Sequence, residues 1–391
     1  MMHPGVASTP VRQAEAHGAP RASRAAESGR ARIIAFYLPQ FHPIPENDEW
    51  WGTGFTEWTN VARAKPLYPG HVQPRLPSEL GYYDLRVAET RAHQAALARQ
   101  YGVEGFCYWH YWFEGRRILE RPFAEVLASG EPDFPFCLGW ANQSWTGIWH
   151  GAADRVLIRQ GYGGEADARR HFEAVLPAFR DPRYLRVDGC PIFMLHQPRD
   201  LAEPQTFTRL WREWARAEGL PGVFFLGDGD VGWNTEEYGF DGTIISNPWM
   251  VLHYRSRSIL DRVVGRVFKG RDWAWLTKRA LGWPNRIPYT DVLRHGLARR
   301  LGRLEFPSVL PNWDNTPRSG RNGLVISGSS PELFSRHLDQ AIASVESRPA
   351  DHRLVFLKSW NEWAEGNFVE PDVLHGRAYL EAIQRAQYAR R

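Results

Sequence analysis

Two glutamates three residues apart, Glu362 and Glu365, lie in the run Leu354-Val-Phe-Leu-Lys-Ser-Trp-Asn-Glu-Trp-Ala-Glu-Gly-Asn-Phe-Val-Glu-Pro371. Carboxyls placed at the mouth of a buried strand are costly to desolvate. A chain that sets two there gains most when one is ionised and the other protonated, the arrangement acid/base catalysis needs. Trp360 and Trp363 flank the pair and offer flat apolar faces on which a sugar ring can lie, with the Asn361 amide between them for its hydroxyls. An arbitrary E-x-x-E is more often a helix cap beside a structural ion pair. The aromatic setting and the preceding strand set this one apart, and predict cleavage or transfer at a glycosidic bond.

Such a pair needs a scaffold that ends many strands at one place. Eight short apolar runs can be counted, near residues 33–38, 105–109, 136–140, 192–196, 223–226, 242–245, 304–309 and 354–359. Their near-continuous hydrophobicity is that of parallel strands buried on both faces. Helical patterns fall mostly between them, at about 87–101, 165–179, 205–218, 331–345 and 376–388, and Ser330 before Pro331 makes a good N-cap. Eight β-α units in one chain predict a (β/α)8 TIM barrel, with its active site at the C-terminal strand ends. The tails after the strands fit that rule: Tyr37, Gln40 and His42; Trp109, His110 and Tyr111; Trp140, Asn142, Gln143 and Trp145; Asn247 and Trp249; then Asn312, Trp313, Asp314 and Asn315. Segments 41–86 and 246–303 then read as long insertions on the active-site side.

The 391 residues are 43% hydrophobic and 24% charged, as in ordinary globular chains, but 18 Trp and 13% aromatics are unusually many. Much of this excess fills a core, as Trp211 and Trp214 do at helical spacing; the rest falls in polar loops, as a carbohydrate cleft requires. Residues 1–30 hold almost no large apolar side chain and read as a disordered tail before a single domain over 31–391. No apolar run approaches the roughly 18 residues of a membrane span, and the N-terminus lacks a secretory segment, so a cytoplasmic protein is expected. Three cysteines without metal-ligand spacing, Cys107, Cys137 and Cys190, read as buried thiols. Residues 255–303 concentrate 13 Lys and Arg against three Asp, a local +10 in a chain of net charge +4. With Phe268, Trp273, Trp275 and Trp283 interspersed, this segment is either a solvated lid or a surface for peripheral contact with an anionic inner membrane and a lipid-linked glycan.

Four motifs together resemble a known family: Ile34-Ala-Phe-Tyr-Leu-Pro-Gln-Phe-His-Pro43, Trp51-Gly-Thr-Gly-Phe-Thr-Glu-Trp-Thr-Asn-Val61, Phe106-Cys-Tyr-Trp-His-Tyr-Trp112 and Ser359-Trp-Asn-Glu-Trp-Ala-Glu-Gly366. They resemble the WbsX family of bacterial surface-polysaccharide clusters, itself similar to glycoside hydrolase family 99, and the resemblance runs from about residue 31 to the C-terminus. It implies a (β/α)8 enzyme acting on an O-antigen, lipopolysaccharide or capsule type glycan, although the family carries a glycosyltransferase label. The family 99 pattern implies retention of anomeric configuration through the sugar's own 2-hydroxyl, with Glu362 as base and Glu365 as general acid. It also implies substrate contacts from Glu57 and Trp58, and needs no cofactor and no metal. Family 99 enzymes are endo-α-mannosidases, and Ala364 stands where they carry His, which leaves the sugar open.

Two other classes compete. A transferase using a nucleotide-sugar donor would account for Asp228-Gly-Asp230 after the fifth run, where two acids can hold a divalent cation, although a tight turn uses the same residues. No glycine-rich phosphate loop accompanies it. A noncatalytic glycan-binding protein would use the same aromatics but leave the paired acids unexplained. His42, His71, His110 and His150 are scattered and lack metal-ligand spacing.

Overall fold

The computed structural model describes residues 30–147, 152–229, 233–245, 267, 273–295 and 301–388. Eight apolar runs form the barrel strands: β1 (Arg32–Tyr37), β2 (Gly105–His110), β3 (Phe136–Trp140), β4 (Cys190–Leu195), β5 (Phe224–Gly229), β6 (Gly242–Ile245), β7 (Glu305–Val309) and β8 (Leu354–Leu357). Every neighbouring pair is parallel, from Ile34 opposite Gly105 round to Arg32 opposite Leu354. The pairing of Phe224 with Ile192 joins β5 to β4, so the sheet closes on itself. Closure leaves no free edge, and it explains why these strands are apolar on both faces: one packs the barrel interior, the other the helices.

Those helices run in chain order as α1 (Pro45–Trp51), α2 (Glu57–Arg63), α3 (Ala88–Gln100), α4 (Arg121–Ser129), α5 (Gly164–Arg180), α6 (Pro204–Ala217), α7 (Trp273–Leu281), α8 (Tyr289–His295), α9 (Thr316–Ser319), α10 (Pro331–Val345) and α11 (Ala378–Tyr388). The Ser330 hydroxyl accepts a hydrogen bond from the Leu333 amide and starts α10 at the expected residue. Trp211 on α6 is fully buried among Phe172, Phe193, Phe207 and Phe225. Cys107 and Cys137 are free and buried, and Cys190 is free and partly exposed.

Three local results differ from the sequence reading. Strand β5 runs on through Asp228 instead of ending at residue 226, so Asp228 lies in a ladder opposite Ile244 and not in a turn. Strand β8 stops at Leu357, which leaves Lys358 and both glutamates on the loop beyond it. The 41–86 insertion is partly helical, since α1 and α2 fold within it.

The region after β6 builds a second, smaller core. Strand Asn285–Pro288 pairs in parallel with Leu324–Ser327, and Ile287, Tyr289 and Val292 pack with Leu310, Trp313 and Ile326. This side structure grips the β7–α10 loop, which carries Trp313, Asn315 and Arg318 toward the barrel mouth. Asn247, Trp249, His150, Asp230, Phe268 and the tail over 1–29 lie outside the described residues.

Candidate active site

A cavity of about 600 Å³ opens at the C-terminal end of the barrel. Of the residues expected from sequence, Gln40, Glu57, Trp109, Tyr111, Gln143, Trp145, Trp313, Asn315, Glu362 and Glu365 line it. They come from the insertion after β1, the end of β2 and the loop beyond it, and the loops after β3, β7 and β8. The segment that carries the two glutamates is a tight hairpin: Asn361–Glu362 pairs antiparallel with Asn367–Phe368 around a single 3-10 turn, Trp363–Glu365. Gly366 closes that turn at φ 56°, a left-handed conformation that favours glycine. It lies so close to Asp314 that an added Cβ would stand 2.9 Å from the Asp314 amide nitrogen. The same Asp314 amide donates to the Glu365 carbonyl at 2.7 Å, locking the hairpin to the β7 loop.

The carboxyls stand in distinct environments. The Trp109 indole N–H donates to Glu362 Oε1 at 2.7 Å. Burial, then the charge of Glu365, push the Glu362 carboxyl up to about 8, against the opposing pull of Lys358 and Arg318. Glu365 is clamped by Arg318, whose guanidinium donates to its Oε1 at 2.7 Å and to Glu57 Oε1 at 2.6 Å. The Glu57 carboxyl is raised by burial in spite of that contact with Arg318. Glu57 Oε1 also accepts from the Ala364 amide, while its Oε2 is buried with no hydrogen-bond partner. Arg318 is held in its charged form, because Glu57, Glu365 and Glu362 together outweigh the burial that opposes it.

A second cluster faces the cavity from β4, β5 and β8. Asp228 Oδ2 lies 3.1 Å from His196 Nδ1 and 3.5 Å from Lys358 Nζ. Burial would lower the Lys358 ammonium, but Asp228 and then Glu362 and Glu365 raise it instead, so it stays charged. The sequence reading missed Arg318, Lys358 and His196 as site residues. The only available signals were a lysine ending the apolar run of β8 and an arginine four residues beyond Asp314.

Other expected contacts are placed behind the wall. Trp360 and Trp363 are buried rather than open to a sugar ring: Trp360 packs on Phe106, while Trp363 stacks on Phe368 at 3.7 Å and donates to Glu370 at 2.7 Å. Tyr37 donates to Gln94, Asn361 to the Leu38 carbonyl and Trp58 to the Tyr83 carbonyl, all buried. Trp140 is sealed against His171 and Phe207, and its indole donates to the Trp112 carbonyl. His110 is paired with His171 at 2.9 Å, and burial pushes it down to about 3. His42 meets the Pro39 carbonyl, and Asn142 holds Tyr162 and the Gln197 backbone. Asp314 takes hydrogen bonds from His71, Gln73 and Thr316, which hold its carboxyl below the usual range despite burial. In nearly all of these cases a polar side-chain atom found a protein partner inside the fold. The position alone could not reveal this. Among the described residues no three His, Cys, Asp or Glu side chains converge as a metal-binding group, and no helix is long and apolar enough to cross a membrane.

Comparisons with known proteins agree with the barrel fold. A family model described as "Glycosyltransferase WbsX" matches residues 33–383. The chain is 38% identical over 376 residues, 95% of its length, to "Uncharacterized protein WxcX" of Xanthomonas campestris pv. campestris strain B100. It spans about half, 51%, of that relative. Among solved structures, a "Glycoside hydrolase-like protein" matches with TM-score 0.57 at 14% identity, covering 92% of this chain and 94% of the other. The GH99 endo-alpha-mannosidase from Bacteroides thetaiotaomicron matches with TM-score 0.50 at 16% identity, covering 91% and 96%. At such identities these structures establish the shared barrel fold.

Proposed function

Because the chain belongs to the WbsX glycosyltransferase family, we propose that this carbohydrate-active barrel cleaves or transfers a glycosidic bond within a bacterial surface polysaccharide, of O-antigen or capsule type, using Glu362 and Glu365. The observation that carries this reading is the setting of the two acids. Both line one cavity; one is raised by burial to about 8, and the other is paired with Arg318 at 2.7 Å. A pair held in unlike environments is suited to delivering a proton to a leaving oxygen and removing one from the attacking hydroxyl. Trp109, Tyr111, Trp145 and Trp313 supply aromatic surface, and Gln40, Gln143 and Asn315 supply hydrogen bonds for sugar hydroxyls. The buried, unpartnered Oε2 of Glu57 is a further acceptor for a substrate hydroxyl. By the resemblance to family 99, the reaction retains anomeric configuration, and its intermediate is opened by water or by a second sugar.

The test is incubation of the purified protein with isolated O-antigen or capsule polysaccharide. Chain length is followed by gel filtration, and the newly formed anomer by proton NMR. Shortened or re-ligated chains with retained configuration are expected. Unchanged chains that require a nucleotide sugar and Mn²⁺ before any transfer occurs would establish the donor-dependent transferase instead. Asp228 is the feature that favours that second reading. Its carboxylate, however, already serves Lys358 and His196, so treatment with a chelator is expected to leave activity unchanged. Binding of the glycan with no turnover would leave the noncatalytic alternative.

A further inference from the structure

A third acid stands behind the cavity wall and holds the hairpin of Glu362 and Glu365 from its buried side. Glu370 follows the second hairpin strand, Asn367–Phe368, and is 2% exposed. Its Oε2 accepts the Trp363 indole N–H at 2.7 Å and the Tyr83 hydroxyl at 2.8 Å, and its Oε1 accepts the Gln94 amide at 2.7 Å. Both residues that flank Glu362 are thereby tied to one carboxyl: Trp363 directly, and Asn361 through the Tyr83 oxygen, to which its amide donates at 3.3 Å. We propose that Glu370 is a positioning residue for the paired acids, fixing the chain on either side of Glu362 and with it the turn that leads to Glu365. This rests on the two-glutamate reading of the site.

The donors around Glu370 explain why an acid stands there. An indole N–H cannot accept, the Tyr83 oxygen already accepts from Asn361, and the Gln94 carbonyl oxygen is taken by the Tyr37 hydroxyl at 2.7 Å. Three N–H or O–H groups therefore point at one place, and the ionised carboxylate accepts from all of them without presenting a proton of its own. A glutamine would set an amide N–H against one of them. None of the three donors is a cation, and burial pushes the Glu370 carboxyl up to about 7 against the pull of Trp363, Gln94 and Tyr83. Its ionisation therefore weakens the fold. Packing alone gives no reason for an acid here, whereas holding a reacting carboxyl within about 0.5 Å of its working position does. The frame that reaches the hairpin through Glu370 is stiff: Gln94 belongs to α3 and Tyr37 to β1. Trp58 on α2 packs its ring 5.4 Å from that of Trp363 and donates to the Tyr83 carbonyl at 2.8 Å.

Trp109 supplies a reporter that needs no substrate, because its indole N–H donates to Glu362 Oε1 at 2.7 Å. Protein labelled with ¹⁵N at the tryptophan indoles is compared by NMR on the alkaline side of 7, where Glu370 is ionised. The samples are the parent, Glu370→Gln, Trp363→Phe and the double variant, with the Trp109 signal assigned by its absence from Trp109→Phe. Glu370→Gln is expected to shift the Trp109 signal, and Trp363→Phe to shift it in the same direction. The double variant should shift it no further than the larger single change, since both substitutions cut one contact. A carboxyl that served only the fold would change the melting temperature and leave the Trp109 signal in place. A cooperative thermal transition reports intact folding in each variant. Trp363→Phe keeps a ring to stack on Phe368, so it carries the comparison alone if Glu370→Gln fails to fold. An unmoved Trp109 signal in the folded variants, or shifts that add in the double variant, would overturn the assignment. Polysaccharide cleavage does not enter these outcomes, so a failure here is distinct from a failure of the proposed activity.

Discussion

At the scale of single residues, the unlike settings of Glu362 and Glu365 yield three measurable consequences. Glu362→Gln and Glu365→Gln should each lower turnover by about 10²–10⁴-fold with unchanged circular dichroism, the usual contribution of a general acid or base; near-parental rates in either purified variant would remove it from the chemistry. If Glu362 is the acid, kcat/KM must fall as pH rises through about 8, because the carboxyl loses its proton there. A base with the same titration would instead produce a rise, so the alkaline limb of the rate profile separates the two roles. Stability follows the same proton. A carboxyl whose folded pKa is raised from 4.5 to about 8 binds its proton more tightly when folded, so it destabilises the fold increasingly as pH rises across that window. Each unit is worth about 1.4 kcal/mol, an upper bound of a few kcal/mol at pH 9. Glu362→Gln should therefore melt higher than the parent at about pH 9, with the gap closing toward pH 5.

At the scale of elements, the hairpin after β8 depends on a backbone contact with the β7 loop. Gly366 at φ 56° abuts Asp314, and Asp314 is fixed by the His71 imidazole at 2.7 Å. The Leu67 amide donates to His71 Nδ1, so the hydrogen on Nε2 is the one donated to Asp314, and a neutral ring satisfies both contacts. Gly366→Ala adds a methyl where the Asp314 backbone already stands and a side chain where the left-handed conformation disfavours one. Thermal unfolding should reveal a loss of about 1–3 kcal/mol. The rate should fall further than an equally destabilising substitution elsewhere would lower it, because Glu365 moves with the hairpin. A rate that follows stability alone would argue against the coupling.

At the scale of the whole molecule, charge is distributed unevenly. Residues 255–303 hold 13 Lys and Arg against three Asp, and their described part packs on the loop that carries Arg318. Trp283, half-buried, lies 6.0 Å from Tyr68, with Arg286 over both rings, so this tryptophan belongs to the protein's own surface layer. The proposal that the basic segment meets an anionic membrane therefore draws on its arginines and lysines and not on Trp283. Cosedimentation with vesicles containing phosphatidylserine or phosphatidylglycerol should be strong at low salt and fade as salt screens charges over about 10 Å at 0.1 M. Equal retention on neutral vesicles would show that charge does not drive it.

The amino-acid sequence by itself determined the barrel, because its eight strands are local apolar runs and five of the helices packed around them carry their own periodicity, whereas the short helices of the 41–86 insertion do not. Ser330, Pro331 and Trp211 were legible for the same reason: capping and helical packing depend on near neighbours. The sequence also singled out Glu362 and Glu365, since two acids after a buried strand conflict with local physics unless they do chemistry. Tertiary structure decided which aromatics face the cavity. Trp360 and Trp363 turned inward, toward Phe106, Phe368 and Glu370, whereas Trp109 and Trp313 reached the cavity wall. It also brought Arg318 onto Glu57 across 261 positions of chain and onto Glu365 across 47. Spacing along a chain says nothing about such pairs: a carboxyl's protonation is set by burial and by charges within a few ångströms, and only closure of the barrel brings those charges there.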